Sequence, residues 1–69
     1  MPLTMINTGE TGTIKKVGGS AEVHRFLENL GFVCGEEVSI VSSFSGNMIV
    51  SIKGSRVAIN HEMARKILV

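Results

Sequence analysis

Residues 38–59, with the sequence VSIVSSFSGNMIVSIKGSRVAI, indicate a β fold, because apolar and polar side chains alternate along much of this stretch. A spacing of two is typical of β-strands that bury one face. The apolar pairs are Val38 and Ile40, Val50 and Ile52, and Val57 and Ile59. Between them, segment 43–47 has the composition of a loop, and Gly54-Ser55 predicts a two-residue hairpin turn.

Segment 21–30, which precedes this stretch, has the periodicity of an amphipathic helix. Its apolar residues recur at i, i+3, i+4 and i+7, namely Val23, Phe26, Leu27 and Leu30. Ser20 is placed to cap the N-terminus, and Gly31 suits the left-handed residue that ends many helices. So short a helix is not stable alone, so we expect its apolar stripe to pack against the strands.

Two shorter segments, Thr13–Val17 and Ile67–Val69, predict the first and last strands. Ile14 and Val17 lie three residues apart rather than two, which a bulge or a strong twist would reconcile. Asn60 is a candidate cap for a short helical turn before the last strand. The pattern predicts a mostly β protein with roughly five short strands, one inserted α-helix and a short helical turn.

Strands this short leave exposed edges unless the sheet closes on itself. We therefore predict a small, partly open barrel whose helix covers one mouth. The strand residues expected inside are Val38, Ile40, Val50, Ile52, Val57, Ile59, Ile67 and Val69. The helix stripe would complete this aliphatic core.

Length and charge narrow the class of protein. The 69 residues suit one domain, which we expect to span residues 1–69. Seven Lys or Arg against six Glu give a net charge of +1, too small to attract nucleic acid by its field alone. The single cysteine, Cys34, excludes an intramolecular disulfide. The sequence shows neither a signal peptide nor a membrane span, which predicts a cytoplasmic protein.

No arrangement of residues indicates catalysis. A nucleophilic site would need Cys34 beside a base, but neither His24 nor His61 is spaced to pair with it. Glu36 and Glu37 precede a strand and are expected to point to opposite faces, so they do not predict an acid–base pair. We predict that the protein is not an enzyme and has neither catalytic residues nor a cofactor.

Metal and nucleic-acid binding are alternatives with less support. His24 and Glu28 share one helix face and could supply two metal ligands, but an exposed His–Glu pair is the favoured interpretation. No metal site is therefore predicted. Basic residues could gather on one side of the barrel, but no aromatic residues are interleaved with them, and nucleic acid is not a predicted partner. These residues are Lys15, Lys16, Lys53, Arg56, Arg65 and Lys66.

Apolar residues outside the periodic pattern are the candidates for binding a partner protein. Phe44 lies in the Ser-Gly-Asn-rich loop, and Phe32 and Val33 follow the end of the helix without continuing its stripe. Arg56 could add a charge at the rim of such a surface. The alternative is that Phe32 plugs the barrel beneath the helix and Phe44 folds over its other end.

In combination, the apolar and glycine positions resemble those of the FeoA domain family over almost the whole chain. The residues that carry the resemblance are Leu3, Gly9-Glu10, Gly12-Thr13-Ile14, Leu30-Gly31-Phe32, Gly35, Val38, Ile40, residues 54–58 (GSRVA), Ile67 and Val69. The resemblance implies an SH3-like barrel with an inserted helical segment.

The resemblance also implies a function. FeoA proteins are small cytosolic partners of FeoB, the membrane protein that imports Fe(II) and carries a GTP-binding domain. We therefore expect an accessory protein of ferrous-iron uptake that meets the membrane only through that transporter. The alternative is a metal-sensing regulatory module, because a similar domain ends the chain of repressors of the diphtheria-toxin-repressor type. The oligomeric state is left open.

Overall fold

The alternating stretch folds, as predicted, into consecutive antiparallel strands in the computed structural model, which describes residues 1–69. The elements in chain order are a 3-10 turn (Leu3–Met5), β1 (Thr11–Thr13), β2 (Lys16–Val17), α1 (Ala21–Asn29), β3 (Glu37–Phe44), β4 (Asn47–Ile52), β5 (Ser55–Asn60), α2 (His61–Ala64) and β6 (Ile67–Leu68). The prediction of a mostly β fold with one inserted helix and a helical turn before the last strand is confirmed.

Two antiparallel sheets form the barrel wall. Four strands pair in the order β1-β3-β4-β5, and β2 pairs with β6. Pro2 forms a single bridge with Leu68, so the N-terminus lies along the smaller sheet. The chain runs directly from β1 into β2 and so passes from one sheet to the other, which links the two sheets into a partly open barrel.

The strand predicted at Thr13–Val17 is instead divided between these two sheets, and the barrel has six strands rather than about five. The Ile14 amide donates to the Glu36 carbonyl at 2.9 Å, on the side of the larger sheet. The next amide, that of Lys15, donates to the Leu68 carbonyl at 2.7 Å, on the side of the smaller sheet. This change of partner explains why the apolar spacing in the segment departs from two.

Both hairpins of the larger sheet turn on two residues with positive φ, which is the geometry of a type I′ turn. Ser45 and Gly46 have φ values of 42° and 78°, and Lys53 and Gly54 have 51° and 78°. The turn predicted at Gly54-Ser55 is therefore wrong by one residue, because Ser55 already belongs to β5.

Helix α1 begins and ends with the predicted capping residues. The Ser20 hydroxyl oxygen accepts a hydrogen bond from the Val23 amide at 3.3 Å, and Gly31 follows the helix with φ of 107°. Leu27 is fully buried, but Phe26 is 47% exposed, so the expectation that Phe26 joins the core is wrong. Only part of the apolar stripe of α1 therefore contacts the barrel.

The core is aliphatic, as predicted, and contains no buried polar side chain. The predicted interior residues that are buried are Val38, Ile40, Val50, Ile52, Ile59 and Ile67. Val57 and Val69 are only partly buried at its margin. Leu3, Met48 and Ala64 are buried although the alternating pattern did not include them.

Candidate partner-binding surface

Strand register defines the outer face of β3, β4 and β5. Val38, Ile40, Val50 and Ile52 are buried, so the residues that alternate with them point outward. Because paired residues lie side by side on one face, the outward residues form rows across the sheet. The rows are Ser39–Ser51–Arg56, Ser42–Ile49–Ala58 and Phe44–Asn47–Asn60.

A register shift in β3 places Phe44 on this face. The shift lies between Ile40 and Ser42, so that Val41 is an extra residue opposite β4. Without the shift, Phe44 would point to the same face as Val38 and Ile40, because it follows Ile40 by an even number of residues, and that face is the core. The extra residue moves Phe44 to the opposite face, where it is 54% exposed.

The half of the outer face nearest Phe44 carries three apolar side chains, Phe44, Ile49 and Ala58, alternating with three polar ones. Phe44 is the last residue of β3 and pairs with Asn47, so the loop predicted at 43–47 is reduced to Ser45 and Gly46. Ile49 is partly exposed in the neighbouring row, and Ala58 beside it is exposed. The predicted interior positions of Val50 and Ile52 already imply that Ile49 points outward, but Ile49 was not considered as a candidate binding residue.

The other half is a polar, open depression of about 690 Å³. The Thr11 and Ser39 hydroxyl groups are hydrogen-bonded at 2.8 Å, and Lys53 Nζ lies 3.8 Å from Glu36 Oε1. Glu37 also borders the depression. Arg56 is exposed in the row next to Ala58, at the boundary between this polar half and the half nearest Phe44.

The four predicted partner-binding residues therefore separate into three environments. Phe44 and Arg56 share the outer face. Phe32 is fully buried, so the prediction that its side chain is available to a partner is wrong and the alternative, a plug in the barrel, is correct. Val33 is partly exposed and lines a groove elsewhere. Phe26, which was not a candidate, is the other exposed phenylalanine.

The groove that contains Val33 lies between α1 and β2 and has a volume of about 290 Å³. Its other lining residues are Lys15, Lys16 and Val17 on the strand side, His24 and Glu28 on the helix, and Phe32 and Cys34 in the loop after the helix. His24 Nε2 lies 3.5 Å from Glu28 Oε2, and the Cys34 thiol donates to the Lys15 carbonyl at 3.3 Å. Cys34 is exposed.

Two further structural findings bear on the class of site. No three His, Cys, Asp or Glu side chains are arranged so that they could hold a metal ion. Neither helix has the length and apolar character needed to cross a membrane.

Comparison with known proteins identifies relatives over the full chain. The model of the FeoA domain family matches residues 1–69. A curated relative in Methanocaldococcus jannaschii, which is named as an Fe(2+) transport protein A, is 31% identical over 68 residues. That alignment covers 99% of this chain and 83% of the relative.

Solved structures show the same fold. The zinc complex of Stenotrophomonas maltophilia FeoA, described as an SH3 domain protein, has a TM-score of 0.86 and 24% identity, with 99% of this chain and 87% of that one covered. A manganese-dependent transcriptional repressor has a TM-score of 0.88 and 20% identity, with 97% of this chain and 39% of the repressor covered. The predicted SH3-like barrel is thereby confirmed.

Proposed function

Because the chain belongs to the FeoA domain family, we propose that it is a cytoplasmic accessory protein of ferrous-iron uptake that binds a FeoB-type iron transporter. In this proposal the protein performs no chemistry of its own. It binds the cytosolic part of the transporter and changes its assembly or its GTP-linked activity. Its contact with the membrane is then indirect.

The exposed Phe44 side chain is the observation that carries this proposal. An aromatic ring that is 54% exposed at the end of a well-paired strand contributes little to the core, and aromatic residues are enriched at the centres of protein interfaces. Ile49 and Ala58 extend the apolar area beside it. Arg56 lies at its margin, where a charge favours correct orientation and association rate more than affinity.

Co-purification with the transporter tests the proposal. The transporter is reconstituted in a lipid bilayer and incubated with the full chain at micromolar concentration. We expect Phe44→Ser to weaken binding by about fivefold or more, because truncation of an aromatic anchor in an interface typically costs over about 1 kcal/mol. Arg56→Gln should have a smaller effect that decreases as salt is added.

Phe26→Ser is the matched control, because Phe26 is exposed to a similar extent, 47% against 54% for Phe44. This variant loses the same side chain from helix α1 rather than from the outer face. Equal loss of binding in both variants would contradict the assignment of the outer face. Absence of any association between wild-type protein and transporter would contradict the proposed function itself.

The alternative, a metal-sensing regulatory module, draws on the likeness to the manganese-dependent repressor, which is a likeness of fold. His24 and Glu28 are the pair that would supply ligands. Titration with Fe(II), Mn(II) and Zn(II) distinguishes the two functions. One ion bound per chain, and lost in His24→Ala or in His61→Ala, would favour the regulatory module over the transport accessory.

A further inference from the structure

We propose that the groove between α1 and β2 is a second binding site, which accepts an acidic peptide segment carrying one apolar side chain. The groove shares no residue with the outer face of β3–β5. The inference therefore does not depend on the transporter being the partner that binds there. It rests on the charge, the apolar base and the rigidity of the groove.

The charge of the groove favours an acidic occupant. Lys15 and Lys16 are both exposed on its strand side and take part in no ion pair, whereas Lys53 and Arg65 each have a glutamate partner. The only carboxylate in the groove, that of Glu28, lies beside His24. Two lysines and one glutamate give the lining a net charge of +1 with neutral His24.

The base of the groove is apolar and suits a side chain rather than a cofactor. Val33 is partly exposed in it, and Val17 and Phe32 form the floor with exposures of 8% and 0%. A volume of about 290 Å³ is at the lower limit of the roughly 300–1,000 Å³ that small-molecule pockets occupy. An aliphatic side chain could cover the exposed part of Val33 while flanking carboxylates approach the lysines.

Hydrogen bonds tie the loop that forms one end of the groove to its neighbours. The Gly35 amide donates to the Ile14 carbonyl at 2.8 Å, and the Cys34 thiol donates to the Lys15 carbonyl at 3.3 Å. On the helix side, the Phe32 amide donates to the Leu27 carbonyl at 3.0 Å. The groove is thus formed before any partner arrives, which reduces the entropy lost on binding.

The direct test is an NMR titration of the isotope-labelled full chain with the peptide acetyl-Glu-Glu-Leu-Glu-Glu-amide. We expect saturable shifts of backbone amides concentrated in residues 15–17 and 32–35. A peptide with Ser in place of Leu should bind about tenfold more weakly or worse, because the apolar contact is lost. A peptide with Lys in place of each Glu should not bind measurably.

Single substitutions separate the contributions of charge and apolar contact. Lys16→Gln should weaken binding of the acidic peptide by about two- to fivefold, the range expected for one exposed ion pair. Arg56→Gln removes the same charge from the outer face and should leave the affinity unchanged. Val33→Ala should also weaken peptide binding. Unchanged amide signals of this variant outside the groove would show that its fold is intact.

Cys34 provides an independent readout, since it is the chain's only cysteine and lines the groove. Alkylation of Cys34 with N-ethylmaleimide should prevent binding of the peptide. A Cys34→Ser variant should bind the peptide before and after the same treatment. If alkylated wild-type protein binds normally, the peptide does not occupy this groove.

Several results would overturn the proposal. These are no shifts at peptide concentrations of several millimolar, shifts centred on the outer face, or equal binding of the Leu and Ser peptides, which would indicate ionic attraction alone. Equal binding to vesicles containing anionic lipid would show that the groove binds negative charge in general and is not specific for a peptide.

The Phe44→Ser variant separates this site from the proposed function. We expect this variant to bind the peptide as the wild-type protein does, even where it no longer binds the transporter.

Discussion

The backbone amide of Phe32 donates a hydrogen bond to the carbonyl of Leu27 at 3.0 Å, and both side chains are fully buried. The Gly31 amide donates in turn to the Glu28 carbonyl at 2.9 Å. Together these bonds form the Schellman motif that ends α1, in which an apolar residue after the glycine packs back toward the last turn of the helix. The motif explains why Phe32 enters the core as soon as the helix stops.

Phe32→Ala should therefore be among the most destabilising single substitutions in the chain. Loss of a fully buried phenylalanine typically lowers the free energy of unfolding by about 3–5 kcal/mol. Urea denaturation followed by circular dichroism measures this change. Phe44→Ala, which alters an exposed ring, should change the free energy of unfolding by less than about 0.5 kcal/mol.

A domain of this size has little stability to lose, so Phe32→Leu provides a milder variant if the alanine variant does not fold. We expect it to cost less than Phe32→Ala, because leucine still fills part of the space. Similar unfolding free energies for the Phe32 and Phe44 variants would contradict the assignment of Phe32 to the core.

The burial of Phe32 is an example of what the sequence alone could predict about the fold. Gly31 was identified as the end of the helix, and the Schellman motif would have favoured burial of the apolar residue that follows it. The alternating segments and both helix caps were predictable because each depends on a local periodicity or a local hydrogen bond. The exposure of Phe26 was not predictable, because the barrel beneath α1 determines how many residues of the apolar stripe are buried.

The outer face was less predictable for a different reason. Its key residue, Phe44, changes side because of the extra residue at Val41, and no turn residue in the sequence marks that bulge. A one-residue shift reverses every side chain beyond it. That Phe44 and Arg56 lie on the same face is therefore a property of the assembled sheet that could not be inferred from either strand alone.

Ser45→Asn should stabilise the protein. Ser45 has φ of 42° in a type I′ turn with Gly46, and the left-handed region is disfavoured by about 1–2 kcal/mol for L-residues other than Asn and Asp. The Asn-Gly pair is the preferred sequence for this turn. We expect a gain of several tenths of a kcal/mol in unfolding free energy, measured by chemical denaturation.

Ser43→Asn is the matched control for that change, since Ser43 lies within β3 and pairs with Met48. Asparagine is disfavoured in strands, so this variant should be neutral or slightly destabilising. A loss of stability in Ser45→Asn would show that the turn does not have the type I′ geometry in solution.

Asn60→Ala should destabilise α2 and the hairpin that precedes it. The Asn60 side-chain oxygen accepts a hydrogen bond from the Met63 amide at 2.8 Å, which satisfies one of the free amides at the start of the helix. Loss of such a cap costs about 0.5–2 kcal/mol. Thermal unfolding should show a lower midpoint temperature, and hydrogen exchange at the Met63 amide should accelerate.

Asn29→Ala is the comparison for the cap, because Asn29 is exposed at the end of α1 and its side chain makes no hydrogen bond within the protein. Its effect on stability should stay within about 0.5 kcal/mol. Unchanged exchange at Met63 in the Asn60 variant would mean that the cap does not protect that amide.

Gly12→Ala should destabilise the barrel through crowding rather than through backbone strain. A Cβ atom at this position would lie 2.8 Å from Ile6 Cδ1 and 3.1 Å from Val69 Cβ, and Gly12 does not have positive φ. Insertion of a methyl group into such a contact typically costs about 1–3 kcal/mol. Gly18→Ala is the control, since its nearest atom would be the Lys66 carbonyl oxygen at 3.5 Å, an ordinary contact.

The second variant in this test is Ile6→Val, which removes the Cδ1 atom nearest to the added methyl group. If crowding is the cause, the double variant Gly12→Ala/Ile6→Val should lose less stability than the sum of the two single variants. The remaining loss should reflect Val69, which cannot move away as easily because its amide donates to the Met1 carbonyl at 2.7 Å. Strict additivity of the two substitutions in urea denaturation would contradict the contact between Gly12 and Ile6.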